Sequence, residues 1–480
     1  MKYSGNNLFI RTISLLLVFT TLFSLVVYAN PSTVVLSVQE ELDEYIQSTL
    51  SRLDIPGASV AISHKGDLIY SQTFGKSIEE HTRFYIGSIT KSFTALAIAQ
   101  LVEQGKIDLA KSVSTYIKEF TVSDDITVRH LVHHVSGMTE DGYNSWGALP
   151  PNAEFLDLVR DMNKMSLTYT PGEQFAYFNP NYSLLGYIIE IVSGQSYVEY
   201  MEENIVKPLG LKNTSFTGEV DTSGHVSFFG FSMKRNEQYI KYDLPGGFMT
   251  STAEDLILFL DAIRMNDPIV GLSPESFEKL VLSYPSDNFY SMGWMNYNLA
   301  DREAIHHGGS LPGFSANAIM LPEDDYSIAI LLNKNHLLNA YMYYPDLANG
   351  IIHILMGQDA PTRFRFFWIY RLLIVLFAFT IIANVKKFIK MIMKSDDKTK
   401  RRRLKSVIIN LAIALGLFLL LPLGGRLMFA QRGVKWDLVF LLMPDLVTWL
   451  LVGISVHLIE AGIHLVFIKK DYYIRKKIAK

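Results

Sequence analysis

The sequence predicts an α+β domain whose sheet is assembled from both of its ends, with a helical subdomain inserted between them and an all-α tail behind. Three observations carry this. Apolar and polar residues alternate early, in "GASVAISHKGDLIYSQTFG" (57–75), and again late, in "SMGWMNYNL" (291–299), "FSANAIMLP" (314–322) and "YSIAILLN" (326–333); period two marks a half-buried strand. Between them, helical spacing recurs at 92–105, 153–163, 182–194, 196–205 and 253–264, separated by loops rich in Pro, Gly and Asn. Beyond residue 360 the chain turns to long apolar runs.

In chain order, residues 1–29 read as a secretory signal: Lys2 and Arg11 precede an apolar run at 12–27, and "VYA" stands before Asn30. Residues 30–360 form the folded domain. Its first two strands meet at Lys65-Gly66-Asp67, a hairpin signal. The 92–105 helix gathers Phe93, Leu96, Ala97, Ile98, Leu101 and Val102 on one side. In the tail (361–480), the runs at 366–385, 406–423 and 446–468 are each about long enough to cross a bilayer.

Charge orients the tail. "KKFIKMIMKSDDKTKRRRLK" between the first two runs has ten basic residues against two acidic, and "KKDYYIRKKIAK" after the third has six against one. Positive loops stay in the cytoplasm, which places the 30–360 domain outside and the C-terminus inside. The basic tail (22 basic, 6 acidic) also suits contact with anionic lipid. The outer domain is acidic, with 41 acidic residues against 20 basic, which argues against nucleic acid as a partner. There is no cysteine, which excludes disulfides, thiolate zinc sites, a cysteine nucleophile and a lipid-modified cysteine anchor.

Three short motifs hold candidate chemistry. Ser88-Ile89-Thr90-Lys91 places a hydroxyl and an amine one turn apart at a helix head, where a neutral lysine can take the serine's proton. The spacing alone is common at ordinary helix starts. Tyr177-Phe178-Asn179 precedes a helix that starts near Pro180, on a loop where polar groups reach a cleft; a tyrosine near a lysine can relay a proton, although a buried tyrosine is more often simply a core residue. His307-Gly308-Gly309, followed by Ser310, lies at the edge of a strand pattern, and its glycines permit close approach of another backbone. His130, His133 and His134 form a histidine group, but no carboxylate follows at metalloprotease spacing, so no metal is expected. His457, Glu460 and His464 share one face of the last apolar run and read first as contacts between helices.

The order S-x-x-K, then Y-x-N 89 residues after the serine, then H-G-G 130 further on, resembles the serine β-lactamase and penicillin-binding protein superfamily. The likeness is greatest to the class C β-lactamase-like branch, which includes D,D-peptidases, D-amino-acid amidases and cell-wall D-esterases. "ITVRHLVHHVSGM" (126–138), "PGEQFAYFN" (171–179), "YVEYMEENIVKPLGLKNTSF" (197–216), "GGFMTSTAEDL" (246–256) and "MGW" (292–294) support it, over about residues 38–350. With its tail, the chain also resembles the FmtA-like membrane proteins of Gram-positive bacteria. The resemblance implies a β-lactamase-like fold and an acyl-enzyme mechanism without cofactor. Ser88 is the implied nucleophile, and Lys91 with Tyr177 handles its proton. Asn179 bonds the substrate amide, His307 lines the pocket opposite, and the backbone N–H groups of Ser88 and Ser310 form the oxyanion hole.

The motifs depart from the commoner pattern in two places. Gly308 lacks the threonine hydroxyl that contacts a substrate carboxylate, and His307 replaces a lysine with a group that ordinarily titrates near neutrality. Phe178 stands where a serine is more usual. The expected substrate is therefore a D-amino-acid amide or ester of the cell envelope, or a cell-wall peptide. β-Lactamase or D,D-carboxypeptidase activity is the alternative, as is a sensor that binds wall fragments or penicillins without turnover. Anion preference is expected to rise as pH falls and His307 gains a proton.

Overall fold

Lys65 and Gly66 both adopt positive φ (56° and 89°), the backbone that a tight hairpin needs. They join β1 (Ala58–His64) to β2 (Asp67–Phe74). The computed structural model describes residues 37–143, 149–280, 289–336, 344–361, 365–393, 400–429 and 443–478. The expected secretory signal at 1–29 lies outside them.

The remaining strands are β3 (Phe84–Tyr85), β4 (Gly224–Phe228), β5 (Phe231–Arg235), β6 (Thr250–Ser251) and β7 (Tyr290–Ser291). After them come β8 (Trp294–Leu299), β9 (Arg302–Leu311), β10 (Phe314–Leu321), β11 (Tyr326–Leu332) and β12 (Lys334–Asn335). Seven of them form one antiparallel sheet in the order β2-β1-β11-β10-β9-β8-β7. The early hairpin thus docks on a late strand, with Ala58 opposite Leu332, and the sheet is built from both ends as the alternation predicts.

Period two sends side chains to two cores. Ala58, Val60 and Ile62 of β1 and Ile328, Ile330 and Leu332 of β11 face helices α1 (Val38–Arg52, through Leu42, Ile46 and Leu50) and α5 (Tyr344–Leu355, through Leu347 and Ile351). Ala61, Ala329 and Leu331 face the opposite side, toward the inserted helices. There α2 (Thr90–Glu103), α3 (Pro180–Ser193) and α4 (Ala253–Arg264) hold the larger core.

Helix α2 differs from its expected one-sided character: every residue from 90 to 101 is buried. Its polar side chains are satisfied within the core. Ser92 Oγ donates to Gly293 O (2.6 Å), Thr94 Oγ1 to Pro245 O (2.8 Å) and Gln100 Nε2 to Val270 O (2.8 Å). Phe93 stacks on Phe259 of α4 with ring centroids 3.7 Å apart.

The tail forms α6 (Arg365–Met393), α7 (Lys400–Phe429) and α8 (Pro444–Ile478), on the three apolar runs. Within α8, Pro444–Lys470 is long and apolar enough to cross a membrane. His457 Nδ1 lies 2.7 Å from Asn410 Oδ1 of α7, and Glu460 pairs with Lys387 of α6 at 2.6 Å. These two polar residues of the last run contact the neighbouring helices.

Candidate active site

A short 3-10 turn, Gly87–Ile89, leads into α2 and leaves Ser88 half-buried at its mouth. One turn on, Lys91 is buried completely. Its Nζ lies 3.0 Å from Ser88 Oγ and also donates to Gly246 O. No carboxylate stands within ion-pair distance of Lys91 among the described residues. Burial pushes the ammonium down to about 7, while the negative charge of Asp243 pulls it back up. Asp243 is itself buried, its carboxyl raised by burial and eased by Lys91 and by the Ser183 hydroxyl, which donates at 3.0 Å. A lysine that is neutral near pH 7 and touches a serine hydroxyl is placed to accept its proton.

Tyr177 and Tyr182 bring their rings over the ammonium, with Nζ 5.0 and 5.7 Å from the two centroids. The Y-x-N loop thus reaches the lysine as the sequence expects. Asn179 is the N-cap position of α3, and its Oδ1 is buried with no hydrogen-bond partner among the described residues, an acceptor left over for another molecule.

The H-G-G motif lies inside β9 rather than at a strand edge, and its two glycines have different reasons to be there. A Cβ on Gly309 would sit 1.9 Å from Ile86 O, so only glycine lets β9 press against the turn before the nucleophile. On the other side of that contact, Gly87 has φ +55°, and a Cβ there would lie 2.6 Å from the amide nitrogen of Ser310. The two backbones therefore meet beside Ser88 and Ser310. At Gly308 a Cβ would make an ordinary contact with Asn317 Oδ1 at 3.6 Å, so a side-chain carbon fits there without strain.

His307 corrects an expectation. It is buried, its Nδ1 donates to Gly308 O at 2.7 Å, and its Nε2 lies 3.2 Å from Tyr290 Oη. Burial, with the Lys91 charge, pushes it down to about 3. The ring stays neutral at physiological pH, because any charge there would be desolvated next to a cation. It does not supply a titrating positive charge.

Two residues outside the three motifs also shape the site, and His134, which the sequence groups with His130 and His133, is the first. The three histidines have separate occupations: His130 caps the helix Val128–Val132, His133 faces Tyr290 O at 3.4 Å, and His134 holds the Y-x-N loop. His134 is fully buried with φ +55°, an uncommon backbone for a non-glycine residue. Its Nδ1 accepts from Phe178 N (3.2 Å) and faces Asn181 Nδ2 (3.0 Å), and its carbonyl accepts from Ala176 N (2.8 Å). Phe178 is itself buried, and its ring meets that of Tyr143 edge-on with centroids 6.2 Å apart. Asn335 is the second: its Nδ2 donates to Ser310 Oγ at 2.7 Å and to Leu311 O at 2.9 Å, bracing the end of β9. No signal in the sequence marks either residue, because each meets partners far along the chain.

The family model described as Beta-lactamase matches residues 42–347, and the chain belongs to that family. Protein flp of Staphylococcus aureus (strain N315) is 30% identical over 319 residues, covering 62% of this chain and 63% of that protein. A penicillin-binding protein of Bacillus subtilis (strain 168) is 26% identical over 341 residues, covering 64% and 74%. Among solved structures, the octameric penicillin-binding protein homologue from Pyrococcus abyssi superposes with TM-score 0.58 at 29% identity, covering 68% of this chain and 80% of that one. A D-stereospecific amidohydrolase from Streptomyces sp. superposes with TM-score 0.53 at 25% identity, covering 62% and 94%. The match takes in less than two thirds of the staphylococcal relative, and the family model ends before the helical tail begins.

Proposed function

We propose that the chain is a membrane-anchored, extracytoplasmic serine hydrolase that acts through an acyl-enzyme on D-amino-acid amide or ester bonds of the cell envelope. The observation that carries the reading is the 3.0 Å contact between Ser88 Oγ and a fully buried Lys91 Nζ. Neutral Lys91 takes the Ser88 proton as Oγ attacks the substrate carbonyl. The developing oxyanion is met by the Ser88 and Ser310 amides, each such donor contributing about 3 kcal/mol. The proton then passes to the leaving amine or alcohol, with Tyr177 beside the ammonium, and water releases the acyl group by the reverse route. Asn179, with its unused acceptor, bonds the substrate amide N–H.

Selectivity for D-residues is favoured by the likeness to the Streptomyces amidohydrolase, and a wall substrate by the likeness to penicillin-binding proteins. The lack of a hydroxyl at Gly308 and the neutral His307 disfavour tight carboxylate binding. The test is covalent labelling by a serine-directed reagent together with turnover of D-amino-acyl esters, amides and β-lactams. Ser88→Ala should abolish labelling, and Lys91→Ala should slow acylation by about 10²-fold or more. Undiminished labelling of Ser88→Ala would refute the nucleophile, and labelling without any turnover would identify a binding protein instead.

A further inference from the structure

A cavity of about 350 Å3 beside the β4–β5 hairpin has no part in the chemistry above. Its walls include Tyr85, Val220, Asp221, Arg235, Glu237 and Phe314. Two of these belong to the segments that form the site. Tyr85 lies three residues before Ser88, and Phe314 begins the strand that follows Ser310. Arg235 ends β5 and Glu237 follows two residues on, a spacing that puts both side chains on one side of an extended chain.

Several polar groups around the cavity are already engaged. Asp221 pairs with Arg83 at 3.0 Å, Tyr85 Oη donates to Gly218 O at 2.6 Å, and Thr222 Oγ1 accepts from Asn333 Nδ2 at 3.1 Å. Arg235 Nε and Glu237 Oε2 differ. Both atoms are buried, and neither has a hydrogen-bond partner among the described residues. Burial pushes the Glu237 carboxyl up to about 7, against the opposing charge of Arg235 and a hydrogen bond from the Gln238 backbone, which leaves Oε2 unused. Leaving such groups unbonded is costly, and a ligand that supplies both missing partners would recover that cost. Aromatic and aliphatic walls with two convergent charges of opposite sign are complementary to a small ligand that brings both charges itself.

We propose that this cavity is a subsite for a zwitterionic group of amino-acid or dipeptide size, with Glu237 receiving its ammonium and Arg235 its carboxylate. The inference rests on the serine-hydrolase reading for its place beside the acylation site. It adds a feature that reading leaves open: the substrate carries a free zwitterionic end.

Calorimetric titration of the full-length Ser88→Ala chain in detergent tests binding without hydrolysis. The probes are D-alanyl-D-alanine as zwitterion, its N-acetyl form as anion and its C-terminal amide as cation. The zwitterion should bind about tenfold or more tightly than either. Glu237→Gln should remove its advantage over the N-acetyl form, and Arg235→Gln its advantage over the amide, with unfolding temperatures checking that each variant is folded. Should one variant fail to fold, the other and the ranking of probes on the parent chain decide the matter. Equal affinity for the three probes, or a ranking that both substitutions leave unchanged, overturns the subsite. An unsubstituted chain that no reagent labels at Ser88 would refute the hydrolase reading and leave the titration interpretable on its own.

Discussion

Lys91 is held in its neutral form by the same burial that makes it costly. Its folded value near 7 lies below the 10.5 of a free lysine, because burial opposes the charge more than Asp243 supports it. Acylation should therefore rise with pH through about 7 and level off above, as Lys91 loses its proton. The stability sign follows from the same shift. Between about 7 and 10.5 the unfolded chain binds the extra proton, so stability contributed at this site increases with pH there, and the burial cost is largest below 7. Lys91→Met should stabilise the protein by about 1–4 kcal/mol at pH 6, less at pH 9, while slowing acylation by about 10²-fold or more. Denaturant unfolding at the two pH values checks the first half and labelling kinetics the second. The neighbouring His307 stays neutral down to about 3, so the ratio of kcat/KM for matched carboxylate and carboxamide substrates should not change between pH 5.5 and 8. Gly308→Thr, which has room for its Cβ, should shift that ratio toward the carboxylate by about tenfold, the worth of one hydrogen bond to a charged group. An unchanged ratio in Gly308→Thr would mean that the substrate does not pass that position.

At the scale of elements, the site depends on a loop, a helix head and a strand held to one another by backbone contacts. The Y-x-N loop is fixed by His134, whose ring and carbonyl accept from Phe178 and Ala176. His134→Ala should lower kcat by about 10-fold or more, because a small misplacement of Tyr177 and Asn179 weakens the transition state. Asparagine has an acceptor of its own and tolerates positive φ, so His134→Asn should recover part of the rate. If alanine and asparagine lose the same activity at equal unfolding temperature, the ring is not positioning the loop. This arrangement shows what sequence alone reveals. S-x-x-K was legible because both residues sit on one helix and the period fixes their contact. Strands β1, β10 and β11 were legible because each buries alternate residues against a different core, and the β1–β2 turn because Lys65-Gly66-Asp67 marks it. Strand β9 was harder to read, since two histidines and two glycines interrupt its alternation, and Gly309 is set by a backbone about 220 residues away. The role of His134 was hidden for a similar reason: its partner Phe178 N is 44 residues distant, and no local period encodes that contact.

For the whole molecule the open question is on which side of a membrane each part lies. The topology proposed from the charge pattern has residues 386–405 and the C-terminal end inside, with three crossings and an outer folded domain. The first turn of α8 contacts that domain. Asp445 is buried there, accepting from Phe229 N at 3.2 Å and facing His336 Nε2 at 3.2 Å, both residues of the folded domain. The proposed topology therefore has the N-terminal end of α8 on the side of the folded domain and its lysine- and arginine-rich C-terminal end on the other. The absence of cysteine from the chain gives a clean background for a direct measurement. A single Lys76→Cys, exposed on the folded domain, should react with a membrane-impermeant maleimide on intact cells. Lys398→Cys, in the basic loop, should react only after the membrane is permeabilised. Labelling of Lys398→Cys on intact cells, at a rate like that of Lys76→Cys, would exclude three crossings, and the basic loop would then need another partner to explain its charge.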